Sequence, residues 1–355
     1  MSSFAVTAER LIIVEHPNAD ALELAQVGGY RAVVAKGAYR TGDLAVYIPE
    51  QAIVPASLIA ELGLTGRLAG KEKDRVKAVR LRGELSQGIV CSPASLADHD
   101  LDVAEAARTD FADLLGVTKW VPEIPLSMSG VVEAAPDLLG WVDIENIKRS
   151  PDVFAPGEDV VATEKVHGTC CLVTYDARQD RLWVSSKGFG ARHQALVAND
   201  TNLYWRAVRT HGVDRLAREL CQELGVGSIG VFGEVYGAGV QDLDYGLAKG
   251  APGYACFDIC LGDSPTRWLA PHELVSAVAS RVGLATRLYD GPYDVTVLTT
   301  LAEGTETISG ATAHLREGLV VRPRQERHSD VTGGRAIAKF VSEAYLTRKG
   351  ATEFE

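Results

Sequence analysis

The chain has 355 residues, 46% of them hydrophobic, and carries a formal net charge of −11 at pH 7. That is enough apolar material for two cores, while the acidic balance excludes a protein that coats nucleic acid nonspecifically, which needs clustered Lys and Arg. No apolar run reaches membrane-spanning length and the N-terminus lacks the basic-then-apolar pattern of a signal peptide, so a cytoplasmic protein with no membrane partner is expected. The six cysteines, Cys91, Cys170, Cys171, Cys221, Cys256 and Cys260, show no paired CxxC spacing. In a reducing compartment they read as small core residues, and Cys256 and Cys260 fall on one face of a predicted strand, as packing would require.

Taken in chain order, residues 1–95 show short β-type runs, such as 31–35 and 43–48, separated by Gly, Pro and Asp turns, the pattern of a small barrel. Within it Lys71, Lys73, Arg75 and Lys77 alternate. If that stretch is extended they share one face, which reads either as a stripe for a nucleic-acid backbone or as a lysine-guarded edge strand. Residues 96–150 read as a connecting region, helix-prone from Leu101 to Leu115 and then rich in Pro.

From residue 151 onward strands and helices alternate irregularly. Val213, Leu216, Ala217, Leu220, Cys221 and Leu224 fall at helical spacing with Gly225 placed to end the helix, and a second helix is expected from Pro271 with Leu274, Val275, Val278 and Val282 buried. Strands are expected at 229–236, 253–261 and 318–322. The fold class is therefore α+β, with mainly antiparallel sheets flanked by helices.

The most informative stretch is Glu164-Lys165-Val166-His167-Gly168-Thr169, a lysine three residues before a glycine at a strand end. By itself Lys-x-x-Gly is common by chance and reads as a solvated Lys before a turn Gly. Downstream come Ser185-Ser186-Lys187-Gly188, Phe232-Gly233-Glu234-Val235-Tyr236-Gly237, Tyr254-Ala255-Cys256-Phe257-Asp258-Ile259, Arg316-Glu317-Gly318-Leu319-Val320-Val321-Arg322 and Ala338-Lys339-Phe340. This series, in this order, resembles the covalent nucleotidyltransferases, which include ATP-dependent RNA and DNA ligases and mRNA capping enzymes. In front of it, His16-Pro17-Asn18-Ala19-Asp20 with Lys36-Gly37, Gly42-Asp43 and Arg80-Leu81-Arg82-Gly83 is similar to an OB-fold of the tRNA-binding type, although His16 alone reads as a turn residue. DNA ligases and capping enzymes usually carry an OB domain after the catalytic domain, for which the stretch between Lys339 and Glu355 is too short. An N-terminal OB domain resembles instead the two-domain ATP-dependent RNA ligases that seal 3′-OH RNA ends in nicked duplexes.

The resemblance implies an OB-fold accessory domain over 1–95, the connecting region over 96–150 and an adenylyltransferase domain over 151–355. It implies that Lys165 becomes adenylylated, that Glu164 and Val166 flank the nucleotide, that Gly168 permits its close approach, that Lys187 contacts sugar or phosphate, that Phe257 stacks on the purine and that Lys339 neutralises the α-phosphate. A free lysine titrates near about 10.4 and is almost wholly ammonium at neutral pH. Neighbouring carboxylates would raise that value, whereas a divalent cation and a second lysine would lower it. Glu234 and Glu317 therefore read as holders of Mg²⁺ or Mn²⁺ at the phosphates of ATP. The expected substrate is a nicked RNA or RNA–DNA duplex with 3′-OH and 5′-phosphate ends, and the expected state is a monomer acting in RNA repair. Two departures stand out: His167 takes the place where many relatives have Asp, and Ile337 takes the place of a first lysine in the last motif, so that Arg335 or Lys187 is left to supply that charge. The alternatives are an RNA-end or tRNA-binding nucleotide sensor without catalysis, and a capping-type guanylyltransferase.

Overall fold

The computed structural model describes residues 4–262 and 265–350. The chain divides into two compact units, the first comprising the described residues up to Val121 with Ile147–Pro151, the second Pro122–Asn146 with the described residues from Asp152 onward.

The first unit is built on short antiparallel strands. β1 (Thr7–Arg10), β5 (Leu44–Ile48) and β6 (Ile89–Cys91) form one sheet, and β2 (Ile12–Glu15), β3 (Leu22–Val27) and β4 (Tyr30–Ala35) a second. The alternation in these runs points Leu11, Ala25, Val27, Val34, Ala45 and Tyr47 into a common core. Residues 96–121, read from sequence as a connection, instead share a core with this unit: Leu96, Ala104, Phe111, Leu115 and Val117 pack with Val6, Val46, Ile48 and Val54. The single helix expected over 101–115 is two short ones, Leu101–Ala107 and Ala112–Leu115, each ended by a left-handed residue, Arg108 and Gly116.

The basic stripe does not form. Residues 71–73 are a turn, with Lys73 left-handed (φ 58°), and Arg75 turns inward, its guanidinium 3.2 Å from the centre of the Trp120 ring. Cation–π packing on Trp120 takes the buried Arg75 away from any phosphate-facing row. His16 is a turn residue, as read from the sequence: its ring accepts from Asn18 N–H at 3.1 Å and meets the Leu81 carbonyl at 3.1 Å.

The second unit contains two five-stranded sheets. In one, β7 (Asp159–Lys165) lies between β12 (Arg287–Pro292) and β13 (Gly318–Pro323), and β14 (Ala338–Val341) continues from β13 to a short parallel partner, Glu145–Asn146. In the other, β8 (Thr169–Asp176) lies between β9 (Arg181–Ser186) and β10 (Ser228–Tyr236), followed by β11 (Gly253–Leu261) and Arg267–Trp268. One face of the second sheet is covered by the helices Leu203–His211 and Val213–Leu224, against which Cys171, Val173, Val231, Val235, Tyr254 and Cys256 pack. Asn202 caps the first helix by accepting from the N–H groups of Tyr204 and Trp205, and Gly225, at φ 66°, ends the second, as its position predicts.

Three details differ from the sequence reading. Leu224 is exposed at the end of its helix. The helix Pro271–Val278 leaves Val275 half exposed, and Val282 is buried beyond its end. Cys256 and Cys260 face opposite sides of β11, because the ladder with β10 shifts register, Gly233 opposing Cys256 and Phe232 opposing Asp258, which makes Phe257 the extra residue of a bulge. All six cysteines are free.

The two sheets are tied together by a buried ion network. Arg322 of β13 donates to Asp258 of β11 at 3.0 Å, and Arg335 reaches the other Asp258 oxygen at 2.7 Å while forking onto Glu326. Removing one member of such a set strands buried charge, so Asp258→Ala is expected to lose about 3–5 kcal/mol in urea unfolding. Asp200→Ala, which removes an exposed partner of Arg209, should stay within about 1 kcal/mol; equal losses would show that burial does not decide the cost.

Candidate active site

The register of the first sheet decides which motif residues meet. Thr163 opposes Val320 and Val320 opposes Lys339, so these three lie in one row across β7, β13 and β14. Lys165 is two residues beyond Thr163 and shares its face, which places Lys165 and Lys339 on one side of the sheet. Glu317 directly precedes β13, and Gly318, at φ 153°, lets the strand start against β14: a Cβ there would lie 2.0 Å from the Phe340 carbonyl oxygen. Glu317 Oε1 holds Lys165 Nζ at 2.7 Å.

The second sheet supplies the other carboxylate. Val231 and Val235 of β10 point to the helices, so Glu234 points the opposite way, with Cys170 beside it across the ladder. Gly168 N–H donates to the Glu234 carboxylate. At Gly168 an added Cβ would lie 2.1 Å from the Val235 carbonyl oxygen, so the missing side chain admits strand β10. Lys187 opens a short helix, Lys187–Gly190, capped by Ser186, and its ammonium pairs with Asp143.

Lysines and carboxylates at close quarters set one another's protonation. Burial pushes the Lys165 ammonium down, but Glu317 and then Glu234 outweigh it, and the net direction is up. Lys339 moves the other way, to about 8, through burial and the charges of Lys165 and Lys187. Burial pushes Glu234 up to about 8 despite the opposing pull of Lys165. The cluster thus holds a lysine kept protonated, a lysine that sheds its proton readily and a carboxyl group that lacks enough positive charge.

A divalent ion fits that deficit. Glu317 Oε2 is buried with no hydrogen-bond partner, and Glu234 gains from any added cation. Among the described residues no three His, Cys, Asp or Glu side chains gather to hold an ion by themselves. An ion held by Glu234 and Glu317 would complete its shell with phosphate oxygens and water.

Other expected residues lie elsewhere. The Glu164 side chain is on the opposite face of β7, where it accepts from Thr307 N–H at 2.9 Å and Thr307 Oγ1 at 2.6 Å beside Arg316, and burial raises its pKa. Val166 is packed among Tyr245, Ala255 and Ala285. Both therefore support the site from behind. Phe257 is half-buried at the bulge, its ring 4.9 Å from that of Trp141 and nearly edge-on to it. Arg335 cannot replace the missing lysine, since Asp258 and Glu326 engage it and its guanidinium stacks 4.1 Å over Trp268; Lys187, within electrostatic reach of both Lys339 and Glu234, is placed to do so. His167 is fully engaged: its backbone N–H donates to the Tyr245 hydroxyl, Nε2 meets Asp242 at 3.0 Å and Nδ1 meets the Tyr345 hydroxyl at 2.8 Å. Sequence reading assigned nothing to Asp242, Tyr345 or Arg348, because each reaches the site from outside the motifs.

A buried ammonium whose pKa falls on folding destabilises the folded state below its folded pKa and ceases to do so above its unfolded one. Lys339→Met should therefore raise the Tm below pH 8, with the gain shrinking as pH climbs from 8 towards 10.5. Calorimetry across that range checks it; a gain independent of pH, or a loss, would contradict the assigned cause.

An RNA ligase family model matches residues 158–341, and an OB-fold domain model matches residues 5–93. No curated protein matches the chain. Among solved structures, an RNA ligase of Naegleria gruberi, as a lysine-to-alanine mutant with ATP and Mn, superimposes with a TM-score of 0.78 at 23% identity, over 96% of this chain and 98% of that one. The same organism's enzyme as a glutamate-to-alanine mutant with AMP and Mn gives 0.77 at 24% identity, over 97% and 98%. With PPi the values are 0.77, 24%, 97% and 98%. The fold is thus that of the Naegleria enzyme, and with the family model spanning the strands that carry Lys165, Glu234, Glu317 and Lys339, the chain belongs to the RNA ligase family.

Proposed function

We propose that the protein joins RNA ends using ATP, through an adenylyl group carried on Lys165. The observation that carries this reading is the convergence of Lys165, Glu317, Glu234, Lys187 and Lys339 in one cluster, a nucleophile among groups suited to a triphosphate. The Naegleria structures with ATP and Mn, AMP and Mn, and PPi support it, since these are what an adenylyl-transfer reaction takes in and gives out.

Three transfers make up the reaction. Lys165 Nζ releases one proton to solvent, attacks the α-phosphorus of ATP and releases a second as the N–P bond forms; the bond to the bridging oxygen breaks and pyrophosphate leaves. A 5′-phosphate oxygen then attacks the same phosphorus and frees the lysine. The 3′-OH of the other end finally attacks the 5′-phosphorus, and AMP departs. Lys339 and Lys187 balance negative charge on the phosphoryl group at each transfer. Bound Mg²⁺ or Mn²⁺, held by Glu234 and Glu317, would supply the charge that frees Lys165 from its carboxylates. Phe257 is the aromatic surface for the purine. Nicked RNA or RNA–DNA duplexes with 3′-OH and 5′-phosphate ends are the substrate class, the OB-fold domain is the accessory module and RNA repair is the setting. Among the described residues no helix is long and apolar enough to cross a membrane.

Intact mass after incubation with ATP and Mg²⁺ tests the first transfer. The wild type should gain one AMP, and Lys165→Ala none. A gain with GTP instead would favour a capping-type guanylyltransferase, and no gain with any nucleoside triphosphate would leave a nucleotide-binding RNA protein. Phe257→Ala should raise the KM for ATP by about tenfold, as lost base stacking costs roughly 1–3 kcal/mol; an unchanged KM would remove it from the purine site.

A further inference from the structure

His167 stands two residues from Lys165 and is 3% exposed, yet the transfers above give it no part. Its ring is gripped at both nitrogens. Asp242 can only accept and Arg348 can only donate; Asp242 lies nearer to Nε2, at 3.0 Å against 3.5 Å for Arg348 Nη2, so the hydrogen is assigned to Nε2, and the Tyr345 hydroxyl takes the Nδ1 side. Arg348 closes the group by forking onto Asp242, at 2.8 Å from Nε and 3.0 Å from Nη2, while lying 3.7 Å over the Tyr345 ring.

The same pieces hold the motif beyond the lysine and the backbone of Glu317. Gln241, next to Asp242, donates to the Gly168 carbonyl at 2.6 Å, so consecutive loop residues grip consecutive motif residues. Ser342, three residues before Tyr345, donates its N–H to the Glu317 carbonyl at 2.9 Å, and Ser342 Oγ and Glu343 N–H both bind Glu303. His167 Nδ1 lies 3.9 Å from Glu317 Oε2, the oxygen that has no hydrogen-bond partner. The C-terminal segment 342–348 thus fixes both the backbone that carries Glu317 and the ring beside its carboxylate.

We propose that His167 is a positioning residue for Glu317, held in place by Asp242, Tyr345 and Arg348, and that the C-terminal segment is thereby part of the lysine-modifying machinery. A buried group of four polar side chains is poor evidence for added stability, since desolvation opposes what the pairing gains. What it does provide is a fixed angle. Glu317 uses Oε1 to hold Lys165 and keeps Oε2 unpaired, and the imidazole edge stops the carboxylate from rotating out of that division. The consequence for catalysis rests on the ligase reading; the arrangement itself does not.

A charge exchange tests it. His167→Asp sets a second carboxylate against Asp242 and should slow lysine adenylylation in single turnovers by about 100-fold, with the KM for ATP changed less than about threefold, because misplacement acts on the reacting geometry rather than on binding. Adding Asp242→Asn to that variant removes the like charge and should recover at least about tenfold. Tyr345→Phe, which removes one hydrogen bond, should slow the step about fivefold, again with little change in KM. Thermal melts run alongside show whether each variant folds. A His167→Asp protein at the wild-type rate, or a folded double variant no faster than the single one, overturns the proposal. If the wild type takes no adenylyl group from ATP, the ligase reading fails by itself, and ¹⁵N NMR of the histidine-labelled protein still decides the arrangement. A single ring state with hydrogen on Nε2, lost in Asp242→Asn, upholds the positioning; a ring averaging between tautomers in the wild type refutes it.

Discussion

The 2.7 Å pair between Lys165 and Glu317 is the constraint on which the rest of the site depends. It joins the end of one strand to the beginning of its neighbour, and it sets the protonation of the lysine proposed to carry the adenylyl group. With Glu234 close by, the pair holds Lys165 as an ammonium ion, a state that cannot attack phosphorus. On the proposed reading, such an arrangement would hold Lys165 back until positive charge reaches the carboxylates. Lys339 has the complementary character, pushed down towards 8 by burial and by its fellow lysines, so incoming phosphate oxygens would meet a group that gains from them.

The fold makes this possible through register rather than through loops. A one-residue slip between β13 and β14 would turn Lys339 to the far side of the sheet, where Leu319 and Phe340 are buried. Several features protect that register. Glu164 and Glu306 are buried acids that pin the segment leading into Glu317, one through Thr307 and the other through Ser309 and Ala313. At Gly168 and Gly318 backbone approaches backbone too closely for a side chain. The Asp258 ion network binds the two sheets that carry the two carboxylates. The result is a rigid frame around a cluster of charges, which suits a site that stabilises phosphoryl transfer mainly by placement.

Much of this was legible in the sequence. The order of the motifs, the strands at 229–236, 253–261 and 318–322 and the helix ended by Gly225 all carry strong local signals. Lys165, Lys187, Glu234, Glu317 and Lys339 come together as the motif series implied. The misreadings have local causes. Glu164 adjoins the nucleophile in sequence, yet strand alternation sends its side chain to the other face. The alternating basic residues 71–77 looked like a stripe because side-chain period was visible and backbone conformation was not; Lys73 is left-handed and Arg75 finds Trp120. The bulge at Phe257, which separates Cys256 from Cys260, leaves no mark in a run of β-type residues. Asp242, Tyr345 and Arg348 join His167 across 75, 178 and 181 residues, and no spacing rule reaches that far.

The most direct test of the central claim is the titration of Lys165 itself, by NMR of its side chain in protein labelled at lysine, in the wild type and in Glu317→Gln. The account predicts that Lys165 titrates above the free lysine value of about 10.4 in the wild type and falls when the Glu317 charge is removed. A wild-type Lys165 that titrates below the free value, or one that Glu317→Gln leaves unmoved, would contradict a nucleophile held protonated by its carboxylates.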